Sequence, residues 1–341
     1  MEGVSSWVDV SKDFGPETRL LSRADVQRMM LPTSHGHYLG GIYTPSDGHA
    51  EPGKATRAFA NAAREAGAAI LTYHAVEGIE QAGPGVIGVN TDRGYIATPT
   101  VVIAAGAHSA RVVQMLGLRL PMVAVRPTVI QTTPGPRITF AGVWAPNISF
   151  RQKPDGSIYV GRSGAAAYDL TFDSFRFIRE FLPTHIRNKQ ILHSRVGAPL
   201  WRDIKSMIPG SELHEQPFAE SVAVEPRLNV AVAREGLLRL HQLLPETADL
   251  RIQRMWAGAT DQTPDTFPAI GPTRALNGVI FATGFSGKGF GLGPAVGEIL
   301  RDFITVGQPA LDVAPMAFDR FLSGAHGMRS MSDDAASRAQ A

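Results

Sequence analysis

The feature that most constrains this chain is a glycine-dense turn that leads directly into a helical pattern. The ten residues 284–293, GFSGKGFGLG, contain five glycines, and the amphipathic stretch PAVGEILRDF follows them. Glycine at this density lets the backbone adopt positive φ and lets its amides approach a ligand closely. A helix that begins near Pro294 directs unpaired N–H groups and the positive end of its dipole at the same place. The turn is therefore predicted to bind an anion or an electron-rich ring.

Length and composition exclude several classes of protein. The 341 residues suffice for one large domain or two ordinary ones, and 44% hydrophobic with 19% charged residues is typical of a globular protein. The absence of cysteine excludes disulfides, cysteine-ligated zinc, iron–sulfur ligation and a cysteine-tethered flavin. A net charge of +2 gives no reason to expect binding to nucleic acid or an anionic membrane. Without a visible signal peptide or membrane span, we expect a cytoplasmic protein.

The first third of the chain alternates between helical and extended patterns. Residues 52–66 are predicted to form a helix, with Pro52 in its first turn and Gly67 as its stop. Short extended patterns surround it and are separated by turn residues. The predicted strands are HYLGGIYT (37–44), AAILTY (68–73), AVEGIEQ (75–81), VIGVNT (86–91) and YIATP (95–99).

Two apolar runs without alternation are typical of strands buried on both faces of a parallel sheet. They are TVVIA at 100–104 and the core of LNGVIFATG at 276–284, and each ends in small residues before a helix. Ala104, Ala105 and Gly106 have no side chains to block a nucleotide lying across the carboxyl end of such a sheet. Between them, residues 121–254 mix strand-like pieces with helices near 171–182 and 226–244, which indicates a separate antiparallel sheet with covering helices.

One glycine motif matches a dinucleotide fingerprint as a string but not in its context. Gly83-x-Gly85-x-x-Gly88 has Pro84 in its tight turn, and an alternating strand follows it where a helix is required. We therefore interpret this motif as a hairpin turn.

Hydrolase and metal chemistry are disfavoured by the residues present. The run GFSGK at 284–288 fails the nucleophile elbow because Lys288 stands where its last glycine belongs. His35, His37 and His49 have no carboxylate at a recognised ligand spacing. No serine hydrolase and no metal site are expected.

Four sequence blocks, in this order, resemble the FAD-dependent D-amino-acid oxidase superfamily, which includes glycine oxidase, sarcosine oxidase and the flavin subunits of amine dehydrogenases. The likeness covers most of residues 30–321, and the WAG…TPD…IGP form is most similar to the branch with opine oxidase B subunits, hydrogen cyanide synthase C subunits, and sarcosine or proline dehydrogenase subunits. The blocks are GGIYTPSDGHAEPGKATRAFANAAREAGAAI, VIGVNTDRGYIATPTVVIAAGAHSARV, RMWAGATDQTPDTFPAIGP and GVIFATGFSGKGFGLGPAVGEIL.

The resemblance implies an α/β (α+β) fold with two parts. A Rossmann-like FAD-binding domain would comprise 51–120 and 256–322, an antiparallel-sheet substrate domain would comprise 14–50 and 121–255, and 323–341 would be a flexible tail. The family's strand–GxGxxG–helix unit, which holds the FAD pyrophosphate, is not found. The FAD domain is therefore expected to be N-terminally incomplete, because the chain starts downstream of that unit or carries a degenerate copy, and to bind FAD less tightly.

The activity implied by the resemblance is oxidation of a CH–NH bond in an amino acid or N-substituted amino acid. A hydride passes to flavin N5, and the resulting imine is hydrolysed by water. Expected partners are the small-molecule amine or amino acid, oxygen or another electron acceptor, and further subunits if the enzyme is heteromeric. One alternative is a non-catalytic remnant or structural subunit with weak or no FAD binding. A nicotinamide-dependent dehydrogenase is less favoured, because it gives the glycine-rich loop no role.

The resemblance also implies which residues contact the cofactor. The amides from Ser286 to Gly289 would stabilise negative charge at flavin N1 and the C2 carbonyl, Lys288 would add to that field as a catalytic residue, and Val76 would meet the adenine. The full set of predicted cofactor-binding residues is Val76, Ala104, Ala105, Gly106, Gly258, Gly284, Ser286, Gly287, Lys288, Gly289 and Phe290.

Recognition of a substrate carboxylate is less clear from the sequence. Family members often carry an arginine beside the WAG block, but here that stretch reads Gly-Ala-Thr-Asp at 258–261. A bidentate clamp must then come from elsewhere. Arg151 is the first candidate, with Arg162 and Arg195 as alternatives. His108, after the AAG turn, is interpreted as a packing residue.

Overall fold

A computed structural model of the chain describes residues 8–9, 11–12, 17–30, 38–163, 166–187, 192–215 and 226–322. The predicted tail at 323–341, and His35 and His37, lie outside the described residues. No helix in these ranges is long and apolar enough to cross a membrane.

The described residues form a mixed α/β structure. The α-helices are α1 (Arg23–Met29), α2 (Pro52–Glu65), α3 (Ser109–Met115), α4 (Phe172–Arg176), α5 (Ile178–Arg187), α6 (Ala198–Ser206), α7 (Glu212–Glu215), α8 (Val230–Leu243) and α9 (Gly289–Thr305). The strands are β1 (Arg19–Ser22), β2 (Gly40–Tyr43), β3 (Val76–Ala82), β4 (Gly85–Thr91), β5 (Gly94–Ala97), β6 (Val101–Ile103), β7 (Val123–Arg126), β8 (Thr128–Thr132), β9 (Val143–Ala145), β10 (Ile148–Gln152), β11 (Ile158–Gly161), β12 (Ala166–Asp169), β13 (Leu192–Arg195), β14 (Ile252–Ala257), β15 (Thr260–Gln262), β16 (Ala269–Pro272) and β17 (Val279–Thr283).

The two unalternating apolar runs form neighbouring parallel strands, as predicted. β6 pairs with β17 in parallel, and β16 adds to the other edge of β17 in antiparallel orientation. Every residue of β17 is buried, because both faces of the sheet are covered. One face packs with Val113 and Phe318, and the other packs against α9 through Val296 and Ile299. This packing fixes the end of β17 relative to the start of α9.

The GxGxxG-like motif is a hairpin turn, as interpreted. β3, β4 and β5 form an antiparallel meander whose first turn contains Gly83 at φ +58°. The predicted strand at 68–73 is wrong. Among the described strands none pairs with this segment, so its backbone groups have no ladder, and Tyr73 at φ +59° breaks the extended conformation. Leu71 and Tyr73 are exposed.

The antiparallel sheet predicted between 121 and 254 is present, in the order β14-β8-β11-β10-β9. Its strands alternate, and one face packs its apolar side chains, among them Ile130, Phe150 and Ile158, against α8. The opposite face carries Arg151 and Tyr159, which are directly paired in the register of β10 and β11.

A second sheet has the strand order β13-β12-β7-β15. Its strands β7 and β15 are next in sequence to β8 and β14 of the first sheet. Pro127, which has no N–H to give to a ladder, separates β7 from β8, so that the strand-like run VRPTVIQTTP at 125–134 forms two strands in two sheets. Gly258 makes the corresponding passage from β14 to β15, and its N–H donates to the Pro127 carbonyl at 3.1 Å. The two crossings together bring β15 next to the glycine-rich turn.

Candidate functional site

The glycine-rich turn after β17 adopts the positive φ angles that its composition predicts. Gly284 has φ +74°, Gly287 has φ +87°, and Ser286 between them has φ +52°. A Cβ at 284 would stand 2.5 Å from Cγ2 of Thr263, so neither the space nor the backbone allows a side chain there. Ser286 is a non-glycine residue in a strained conformation, which is common at functional sites.

The helix that follows begins earlier than the sequence suggests. α9 starts at Gly289 with Lys288 in the N-cap position, so the predicted start near Pro294 is wrong. The glycines at 289, 291 and 293 adopt helical geometry, and Pro294 lies within the helix, where it lacks the N–H that would bond to Phe290. The first free N–H groups of α9 therefore belong to the glycine-rich sequence itself.

A buried carboxylate, Asp261 on β15, holds this turn in place. Its Oδ2 accepts a hydrogen bond from the Gly284 N–H at 2.7 Å and from the Thr283 hydroxyl at 3.4 Å, and its backbone carbonyl accepts from the Ser286 N–H at 2.8 Å. Sequence reasoning missed this residue and noted only that no arginine was present. The available signal was an ionisable residue in a short strand between two glycine-rich segments.

The structure brings three of the predicted segments together. The Thr283 hydroxyl donates to the Gly106 carbonyl at 3.5 Å. Thr260 lies beside Gly287: its Cγ2 would be 3.6 Å from a Cβ added to Gly287. Gly106 has φ +52°, and a Cβ there or at Gly258 would meet nothing within 4 Å. The segments at 104–106, 258–261 and 284–289 thus line one cradle with open backbone at two points. Val76 lies instead at the start of the β3–β5 meander.

Lys288 lies over the turn that precedes β16. Its Nζ donates to the Thr266 carbonyl at 3.2 Å. Burial of the ammonium lowers the pKa of Lys288, and the nearby Asp265 carboxylate acts in the opposite direction. The lysine side chain is therefore anchored to the 263–267 turn, next to the cradle.

We expect Asp261→Ala to destabilise the folded protein by about 1–3 kcal/mol, because the Gly284 N–H would be buried without an acceptor. Asp92 offers a matched control, since its carboxylate also accepts one backbone N–H, from Ala75 at 2.9 Å, but is exposed to water that can replace it. Urea unfolding followed by circular dichroism measures both variants. Equal losses for Asp261→Ala and Asp92→Ala would contradict the role assigned to Asp261.

The candidate carboxylate clamps are already engaged or exposed. The Arg151 guanidinium bonds Oε1 of Glu51 at 2.8 Å, and Arg162 pairs with Glu235 at 3.1 Å. Arg195 is exposed at the end of β13.

Next to Arg151 the sheet carries an aromatic wall. The guanidinium carbon lies 4.8 Å from the centre of the Tyr159 ring, and Tyr159 meets Trp256 edge to face at 5.2 Å. Arg254 lies over Trp256 at 5.7 Å. Aromatic faces and cations in this arrangement attract each other and would contact an apolar or cationic group of a ligand.

His108 precedes α3 as its N-cap residue, two positions after Gly106 of the cradle. Burial, with the positive charges of Arg111 and Arg202, lowers its pKa, so the neutral imidazole is favoured at physiological pH. That agrees with a packing role. Among the described residues no group of three or more histidine, aspartate or glutamate side chains could hold a metal ion.

A separate cavity of about 320 Å³ lies between α3 and the helices α4 and α6. It is lined by polar and charged residues, among them Gln114, Arg119, Asp173 and Asp203. Burial raises the pKa of both Asp173 and Asp203. Residues of the glycine cradle do not line it.

The described residues define a mixed α/β fold, and comparison with known proteins identifies the family. Residues 1–303 match the DAO family of FAD-dependent oxidoreductases, and the chain belongs to this family, as the resemblance predicted. The family depends on FAD.

Individual relatives agree with this assignment. Glycine oxidase from Pseudomonas aeruginosa is 27% identical, over 71% of this chain and 51% of its own. L-proline dehydrogenase from P. horikoshii is 26% identical, with a TM-score of 0.71, over 93% of this chain and 72% of the other. L-amino acid deaminase from Proteus vulgaris, at 24% identity, shares the fold with a TM-score of 0.83 over 93% of this chain and 75% of the other. The chain spans between 33% and 60% of the length of three of the curated relatives that it matches.

The cradle fits the flavin end of FAD. Its open glycines at 106 and 258 leave room for a planar ring against the backbone. Among the described residues, the glycine motif that most resembles a pyrophosphate-binding turn in sequence forms the β3–β4 hairpin, and a strand follows it instead of a helix.

Proposed function

We propose that the chain binds the flavin of FAD and belongs to an oxidoreductase that oxidises the CH–NH bond of an amino acid or N-substituted amino acid. The observation that carries the proposal is the turn at 284–289, which Asp261 holds in a conformation that favours glycine at 284. The Thr283 hydroxyl, just before the turn, links it to the carbonyl of Gly106, whose backbone is open. FAD, when bound, supplies the acceptor for the hydride of the substrate.

The protein's own groups would stabilise negative charge at the flavin end. The Ser286 and Lys288 amides donate within the protein, to the carbonyls of Asp261 and Phe285, so the expectation that they face the flavin is wrong. The Gly287 amide and the first N–H groups of α9, beginning with Gly289, would form the preorganised set of donors, as in an oxyanion hole. Lys288, anchored to the Thr266 carbonyl, would add a positive charge to this field. A substrate amine that reacts in its neutral form loses a hydride from the adjacent carbon and becomes an iminium ion. Loss of the N–H proton to water gives the imine, which water hydrolyses without a further protein base.

The substrate would bind between the cradle and the polar face of the five-stranded sheet. Tyr159 and Trp256 supply an aromatic wall there, and Arg151 supplies a guanidinium. The names of the relatives, glycine oxidase and L-proline dehydrogenase, support an amino acid with a primary or secondary amine. Oxygen or another electron acceptor would regenerate the oxidised flavin.

A second candidate is a structural subunit that binds FAD weakly or not at all. The observation that favours it is the apolar surface around α2, which has no buried residue, and where Phe59 and Leu71 are exposed. A protein that presents such a surface would need a partner to cover it.

The absorbance spectrum of the purified protein distinguishes the two candidates. The enzyme is expected to show flavin bands, either as isolated or after addition of FAD, that bleach under anaerobic conditions when the correct amine is added. Glycine, sarcosine, L-proline, D-amino acids and opines form the substrate screen. A folded protein that stays colourless, and whose melting temperature FAD does not raise, would exclude the enzyme and leave the structural subunit.

A further inference from the structure

Glu51 lies where an external carboxylate would be expected to bind. Its Oε1 accepts from the Arg151 guanidinium at 2.8 Å, and its Oε2 accepts from the Tyr159 hydroxyl at 3.2 Å. Both oxygens are thus held by donors from adjacent strands of the sheet, β10 and β11. An arginine together with a hydroxyl donor is a typical set for recognising a carboxylate.

The surroundings favour a negative charge at this position. Partial burial opposes ionisation of Glu51, but the hydrogen bonds from Arg151 and Tyr159, with the positive charges of Arg151 and Lys153, outweigh it and lower its pKa. The Lys153 ammonium lies 5.0 Å from the centre of the Tyr159 ring. Any carboxylate that replaced Glu51 would meet the same two donors and the same two charges.

The Glu51 side chain does not cap the helix that follows it. It is the N-cap residue of α2, yet its side chain makes no capping hydrogen bond. An N-cap carboxylate usually accepts from an amide of the first turn, and its charge is stabilised by the helix dipole. Here the carboxylate points to Arg151, 100 residues away in sequence, and the first turn of α2 forgoes its side-chain cap.

We infer that Arg151 and Tyr159 form a carboxylate-binding site that Glu51 occupies from within the chain, and that the α-carboxylate of an amino-acid ligand takes over by displacing Glu51. The choice of an amino acid as ligand rests on the proposed function. The aromatic wall of Tyr159 and Trp256 would contact the apolar part of the same ligand.

The exchange has a low cost because each charge keeps a partner. Arg151 and Tyr159 exchange one carboxylate for another and so keep their charge-assisted hydrogen bonds. The released Glu51 can turn to the Gly53 amide and cap α2. Glu51 is 30% and Arg151 19% exposed in their side chains, so both can be reached from solvent. The site therefore favours ligands that have a carboxylate, and the affinity for them is lowered because they compete with Glu51 for Arg151 and Tyr159.

Isothermal titration calorimetry with L-proline and pyrrolidine, its analogue without the carboxylate, tests the inference. Glu51→Ala is expected to tighten L-proline binding about tenfold or more, because the internal competitor is gone, and to leave pyrrolidine binding unchanged. Adding Tyr159→Phe or Arg151→Ala to Glu51→Ala should reverse the gain. Glu80→Gln, which alters an exposed glutamate bonded to Asn90, is the control and should change neither ligand.

Two results would overturn the inference: no tightening of L-proline binding in Glu51→Ala, or an equal tightening of pyrrolidine binding. Glu51→Gln keeps the side-chain volume and removes the charge, so it serves if the alanine variant does not fold, and the same two results apply to it. Because the titration needs no flavin, its outcome is independent of the spectrum. A colourless protein with a working clamp would reject the proposed oxidation and retain the carboxylate site.

Discussion

Replacing Asp265 by alanine is expected to destabilise the folded protein by about 3–5 kcal/mol, because it leaves a guanidinium without its carboxylate in a nearly dry environment. Asp265 is 4% exposed, and its Oδ2 accepts from Nε of Arg320 at 2.8 Å. Its Oδ1 also accepts from the Phe267 N–H at 3.1 Å. The variant therefore loses an ion pair and a turn-forming hydrogen bond at once.

The loss should extend to the cofactor cradle. Arg320 joins the C-terminal 3-10 helix at Phe318–Phe321 to the 263–267 turn, since it also donates to the Phe267 carbonyl at 2.8 Å. Lys288 anchors to the same turn at Thr266. A loosened turn would release Lys288, so we expect the midpoint of urea unfolding and the affinity for FAD to fall together.

An exposed ion pair provides the comparison for Asp265→Ala. Asp9 pairs with Lys12 at 2.8 Å, with both side chains more than half exposed. Removing it should cost no more than about 1 kcal/mol, since water solvates the remaining lysine. If Asp265→Ala unfolds at the same urea concentration as Asp9→Ala, the buried pair does not stabilise the 263–267 turn as described.

The elements that could be predicted from sequence are those in which every residue has a similar degree of burial, or in which local turn residues determine the backbone. β6 is apolar at every position and β17 at all but its last, Thr283, because both faces of their sheet are covered, and this pattern identifies them. The hairpin at 83–85 was recognisable because Pro84 and the alternating strand exclude a helix. The segment at 68–73 has the composition of a strand, but whether it forms one depends on a neighbouring strand, which local sequence does not report.

The same distinction separates the parts of the candidate site. The glycines of the 284–293 turn are recognisable locally, because their effect on the backbone is local. Asp261 and Glu51 were missed because their roles depend on partners 23 and 100 residues away. Arg151 was named as a candidate clamp, but its neutralisation by Glu51 exists only once α2 and β10 are brought together. Hydrogen bonds and ion pairs between residues far apart in the sequence are thus the part of the candidate site that the sequence alone does not predict.

The second large effect is expected at Gly284. An alanine there would hold a left-handed conformation at φ +74°, and its Cβ would stand 2.5 Å from Cγ2 of Thr263. Thr263 is fully buried and its hydroxyl donates to the Phe267 carbonyl at 2.8 Å, so it cannot turn away without breaking that bond. The backbone strain and the overpacking together should cost about 2–4 kcal/mol. We expect Gly284→Ala to lower the urea midpoint and to abolish the flavin bands of a protein that otherwise binds FAD.

Gly297 is the matched control, because the same substitution should act there in the opposite direction. It lies inside α9, and a Cβ at this position meets nothing within 4 Å. Alanine in a helix interior is more stable than glycine by about 0.5–1 kcal/mol, so Gly297→Ala should raise the urea midpoint and leave the flavin bands unchanged. A Gly284→Ala protein that unfolds and binds FAD like Gly297→Ala would show that the turn tolerates a side chain. In that case the positive φ at 284 would not be what shapes the cradle, and the proposed fit of the flavin edge against the Gly287 and Gly289 amides would lose its basis.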